Sequence, residues 1–131
     1  MWYNEYIIKE RATDKKGLQG YKTMMITNLI NDNGRAVANQ FVIMESDGTI
    51  AFQSYKSRVC EIRGKSMGYD NVVVLGKDWD YSRTTMKHLC DFLRQNGLAH
   101  LASAKDLREA IERGHARKDE AVAVWVDNTM R

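Results

Sequence analysis

A change of hydrophobic period near residue 80 constrains this chain more than any other feature. Before it, apolar residues alternate with polar ones or form short runs, as strands require. From Ser82 onward they fall three and four apart, as on one face of a helix. Strands followed by helices predict an α+β fold.

The strand half divides at its turn residues. Tyr3 to Lys9 is a first strand, followed by a charged loop from Ala12 to Gly20. Lys22 to Ile30 fits a strand, with Met24, Ile26 and Ile30 on one side and Met25, Thr27 and Leu29 on the other, although a short helix also fits. Asn31-Asp32-Asn33-Gly34 is a turn, because Asn and Gly tolerate positive φ. Val37 to Met44 and Thr49 to Tyr55 form a hairpin around Ser46-Asp47-Gly48. Ser57 to Ile62 continues the meander, and Gly64 to Gly68 is a loop. Val72-Val73-Val74-Leu75 is nearly all apolar and reads as a strand buried on both faces.

The helical half follows. Met86, Leu89, Cys90, Phe92 and Leu93 mark one helix from Ser82 to Asn96, and Gly97 sits where a C′ glycine belongs. Ser103 opens a second helix, with Asp106 as its acidic N3 residue and Gly114 as its end. After the charged patch His115 to Glu120, Ala121 to Val126 is apolar on both alternating faces and reads as a central or well-covered strand. The expected architecture is an antiparallel β-meander, two helices on one face and a closing C-terminal strand, in a single domain of residues 1–131.

Composition narrows the function classes. The chain is 44% apolar and 28% charged, which is globular rather than disordered. A formal net charge of +3 permits an anionic partner without demanding one. Cys60 and Cys90 belong to no C-x-x-C pair, and Met1 to Glu5 has no signal-peptide character, so both are expected as reduced thiols in a cytoplasmic protein. No apolar run approaches the ~20 residues of a membrane span. No proline marks an extended linker.

The densest chemistry lies in Asp78-Trp79-Asp80-Tyr81-Ser82-Arg83-Thr84-Thr85-Met86-Lys87-His88-Leu89. Capping explains most of it. Asp80 or Ser82 can accept from first-turn amides, and Trp79 can pack back onto the helix. A catalytic reading using Asp78, Asp80 and His88 is weaker. His88 and Cys90, two apart on a helix, point about 200° from each other. Asp78 and Asp80 alone make a poor metal site. No nucleophile motif is present, and Gly64-x-x-x-Gly68 lacks the Gly-Lys-Ser/Thr ending of a phosphate loop. Neither a metal nor a cofactor is expected.

Capping leaves the cations unexplained. Arg83, Lys87 and Arg94 fall within about 40° on a helical wheel. Lys56, Arg58, Arg63 and Lys65 form a second group, with only Glu61 between them. Each is either a solvated face or, if the two groups face the same way, one basic patch for phosphates or an acidic partner. Phe52, Tyr55, Tyr69, Trp79 and Tyr81 are interleaved with these cations, as in a stacking surface for nucleic acid. Aromatics at strand spacing more often belong to the core. Met24, Met25, Met44 and Met67 read as gap-filling core residues.

Two segments carry a resemblance. Phe52, Ser54, Tyr55, Ser57 and Val59 match an F-x-S-Y-x-S/T-x-I/V-A/C pattern. Tyr81, Ser82, Thr84, Thr85, Lys87 and His88, leading to Phe92 and Leu93, match Y-S-x-T-T-x-K-H/Y before an F-L helix. Together they resemble a family of small accessory proteins from bacteriophages and their bacterial hosts. Residues 98–131 form an extension beyond those motifs. The resemblance implies an accessory protein in the cytoplasm of an infected bacterial host, with no assigned activity. By analogy, such proteins act without catalysis by binding a host protein or nucleoprotein, counter-defence of the anti-CRISPR type included. The cations Lys56, Arg58, Arg63, Lys65, Arg83, Lys87 and Arg94 are the expected contact set, and direct, weakly specific nucleic-acid binding is the alternative.

Overall fold

A computed structural model describes residues 5–13, 19–64, 68–115 and 122–130, with side chains from residue 24 onward within those ranges. Seven strands among the described residues form one sheet in chain order: β1 (Glu5–Thr13), β2 (Gln19–Ile30), β3 (Ala36–Glu45), β4 (Ile50–Ser54), β5 (Ser57–Arg63), β6 (Asn71–Gly76) and β7 (Val122–Asp127). Neighbours from β1 to β6 are antiparallel. β7 is parallel to β6. A parallel neighbour needs a crossover rather than a hairpin. Here α1 (Arg83–Gln95), a 3-10 turn (Ala99–Leu101) and α2 (Ala104–Arg113) provide it.

The segment Lys22 to Ile30, which fits either a strand or a helix in sequence, lies within β2. Long pairing on both sides outweighs its local ambiguity: Thr27 faces Glu5 on β1 and Val42 on β3. β1 also runs four residues past Lys9, into the segment expected as loop.

The sheet has two unlike faces. Phe52, Cys60, Ile62, Val73, Leu75, Val122 and Val124 point to one side and bury Leu89, Phe92, Leu93, Leu101 and Leu107 of the helical layer. Val72, Val74 and Ala123 point to the other, where Tyr69, Trp125 and Met130 pack on them. The β6 run is therefore buried on both faces, as its sequence predicts. β7 ends the sheet order and pairs only with β6 among the named strands, so it is covered rather than central. The Val124 amide donates to the Gly114 carbonyl at 3.1 Å, and His115 bridges Ala123, so the end of α2 shields its first half.

Both helices are capped by serines. Ser82 accepts from the Thr85 amide at 3.3 Å. Ser103 accepts from the Asp106 amide at 3.0 Å while donating to the Asp106 carboxylate at 2.9 Å. Gly97 and Gly114 end their helices at φ of 78° and 81°. The Gln95 amide reaches across to the Ile30 carbonyl at 2.6 Å and ties the end of α1 to the end of β2.

Candidate functional site

The β4–β5 hairpin turns through only Tyr55 and Lys56. Tyr55 adopts a positive φ of 54°, and its amide donates to the Asn39 carbonyl at 2.7 Å. A bulky residue in left-handed backbone is strained, by about 1–3 kcal/mol. At the same end of the sheet, β6 stops at Gly76 and the chain turns through Lys77 to Tyr81 into α1. A Cβ on Gly76 would stand 2.8 Å from the Arg58 carbonyl oxygen, so only glycine lets β6 pass this close to β5.

These elements enclose a groove of about 810 Å3, within the range of ligand sites. Ser54, Tyr55, Lys56 and Ser57 form one wall. Gly76, Lys77, Asp78 and Tyr81 form the floor and the opposite rim, Ser82 and Thr85 bring in the first turn of α1, and Met130 closes the side beyond β7. The groove thus lies outside the carboxyl ends of the parallel pair β6 and β7.

Residues of two separate segments, 52–59 and 81–93, meet here. Ser54, Tyr55, Ser57 and Val59 from the first, and Tyr81, Ser82 and Thr85 from the second, all line the groove. Phe52 and Phe92 belong to the same segments and lie in the core. Tyr55 and Tyr81 are 64% and 87% exposed, and they are the exposed large hydrophobic residues among those described. Of the aromatics interleaved with cations, Phe52 and Trp79 are buried as core spacing predicts, Tyr69 is half-buried, and these two tyrosines are not.

The cations separate into two sets. Arg58 donates to Glu45 at 2.7 Å and to Glu61 at 3.4 Å, and Arg63 donates to Glu61 at 3.2 Å. By strand register Glu61 and Arg63 lie opposite Val74 and Val72, on the face away from the helices. Two carboxylates therefore balance two guanidiniums there. Arg94 folds back on the buried Asp91. Lys65 lies outside the described residues. Among the described residues no ion pair engages Lys56, Lys77, Arg83 or Lys87, all of them exposed. Lys56 lines the groove, as does Lys77, which sequence reasoning passed over, whereas Arg83 and Lys87 do not.

The acids of the opening segment have separate fates. Ser82, not Asp80, caps α1. Asp80 lies 3.5 Å from Arg108, whose guanidinium stands over the Trp79 ring at 5.7 Å, so the pair docks α2 onto the β6–α1 turn. Asp78 is exposed in the groove lining. His88 lies one turn deeper on α1, with its Nδ1 buried and unpartnered. Burial lowers its pKa, with nearby Asp91 opposing and Lys87 reinforcing the shift. Cys60 and Cys90 are both free and buried, and burial raises both thiols. No group of three His, Cys, Asp or Glu side chains assembles as a metal-ligand set among the described residues. No described helix is long and apolar enough to cross a membrane.

Residues 24–109 match the family described as "Family of unknown function (DUF8033)", and the chain belongs to that family. The match spans β2 to most of α2 and includes every groove residue except Met130. No curated protein and no solved structure matches the chain.

Proposed function

We propose that this member of a family of unknown function is a non-catalytic accessory protein that docks on a host nucleoprotein through the groove at the start of α1. One observation carries the reading: Tyr55 and Tyr81, the exposed large hydrophobic residues among those described, both stand on the rim of this groove. Exposed tyrosines over a concave surface favour a partner, because each buries a large rigid area at low entropic cost. The strained backbone at Tyr55 supports it, since such strain persists where a side chain must be presented. The resemblance of the two motif segments to phage accessory proteins supplies the host setting, with counter-defence against a host nuclease as one role within it.

The enzyme reading has less support. Of Asp78, Asp80 and His88, only Asp78 lines the groove, while Asp80 is engaged by Arg108 and His88 has a buried Nδ1, so the three do not gather on it. The test is a pull-down from host extract and from purified nuclease–nucleic-acid complexes, using wild type and the Tyr55→Ala plus Tyr81→Ala variant. Both side chains are exposed, so the variant keeps the fold. Loss of the captured partner is expected. Capture unchanged by the double substitution would place the partner elsewhere.

A further inference from the structure

Four features converge in the groove. The first is its pair of outward tyrosines, one on each rim. The second is a pair of exposed lysines in the lining, Lys56 and Lys77, that no ion pair engages among the described residues. The lining holds a single acid, Asp78.

The third is the start of α1 itself. A helix N-terminus carries partial positive charge and free amides, and acids there stabilise it. α1 has no acid in its first turn and begins with Arg83. Asp106, by contrast, supplies that acid in α2. Ser82 takes up the Thr85 amide, while the amides of Arg83 and Thr84 make no hydrogen bond among the described residues, so the start of α1 is only partly capped.

The fourth is Ser54. It is 6% exposed, lines the groove, and lies on the helix side of the sheet opposite Gln40. Its hydroxyl has no hydrogen-bond partner among the described residues. The hydroxyl opens on the groove, where a ligand oxygen can accept from it.

From this geometry we infer that the groove binds single-stranded nucleic acid. One phosphate sits at the first turn of α1, where the Arg83 and Thr84 amides and the Ser54 hydroxyl donate to it. The flanking bases stack on Tyr55 and Tyr81, and the lysines follow the backbone. The volume of about 810 Å3 suits one or two nucleotides rather than a duplex. Readout is weak in sequence, because stacking and phosphate contacts carry little base information. The inference rests on the proposed docking role and names which part of the nucleoprotein enters the groove.

Fluorescence anisotropy with a labelled mixed-sequence eight-nucleotide strand, as DNA and as RNA, tests it on the full chain at low salt. Saturable binding is expected, weakening with salt at a log–log slope of about −0.7 per phosphate contacted. Tyr55→Ala and Tyr81→Ala should each weaken it about tenfold, and Lys56→Glu with Lys77→Glu should reduce both affinity and salt slope. The matching duplex should bind more weakly. No strand binding at low salt overturns the inference, as does binding that both tyrosine variants retain or that the duplex matches. If host capture still depends on Tyr55 and Tyr81 while the strand fails to bind, the docking role stands and the groove holds a protein surface instead.

Discussion

The ring of Phe52 on β4 stacks on that of Phe92 on α1, with centroids 5.6 Å apart and planes 27° apart. Both rings are fully buried. The contact pins the C-terminal half of α1 to the sheet.

Phe92→Ala should cost about 3–5 kcal/mol of stability, because the surrounding layer cannot collapse onto the void. Phe92→Leu should cost much less. Urea unfolding followed by tryptophan fluorescence measures both. A loss under about 1 kcal/mol for the alanine variant would show that the two layers are not locked at this point.

Tyr55→Asn should raise stability by about 0.5–1 kcal/mol while abolishing partner capture. Asn tolerates the positive φ that Tyr55 is forced into. A gain in stability together with a loss of binding would identify the strain as serving the site. A variant less stable than wild type would mean that the exposed ring contributes to folding.

Gly76→Ala should destabilise by about 1–3 kcal/mol and distort the groove. Its new Cβ meets the backbone oxygen of Arg58 at 2.8 Å, and backbone cannot swing aside as a flexible side chain can. Thermal unfolding and strand binding measured on the same sample should both shift.

His88 makes stability depend on pH in a defined window. Burial lowers its folded pKa below the unfolded value near 6.5. As pH falls through about 6.5 the unfolded chain binds the proton first, so stability drops, and it levels off once the pH passes the folded pKa. The slope should not exceed about 1.4 kcal/mol per pH unit. His88→Gln should flatten this part of the curve. Urea midpoints at pH 7.5 and 5.5 that fall equally in both proteins would assign the effect to other groups.

Local signals located most of the elements. Asn31 to Gly34 and Ser46 to Gly48 turn where their residue types predict, and Ser82, Gly97, Ser103 and Gly114 bound the two helices through local hydrogen bonds and backbone conformation. Ambiguity survived at Lys22 to Ile30, whose strand form depends on partners distant in sequence. The pairing of the closing strand was also hidden. Apolar residues on both faces mean cover on both faces, which a shielded edge strand shares with a central one.

The site was legible only in fragments. Its hydroxyls and tyrosines stand in two segments about 25 residues apart, and spacing alone cannot tell an exposed tyrosine from a core one. Arg58 and Arg63 look like Lys56 in sequence, yet strand register turns Arg63 to the far face and gives both arginines carboxylate partners.

The sequence by itself determined the α+β order, the turns and the helix ends, because hydrophobic period, capping and backbone preference act within a few residues. Only the tertiary structure decided that β7 runs parallel beside β6, that Tyr55 and Tyr81 face one groove, and which cations remain free. Those outcomes depend on pairing and burial between residues far apart in the chain, and no local pattern encodes them.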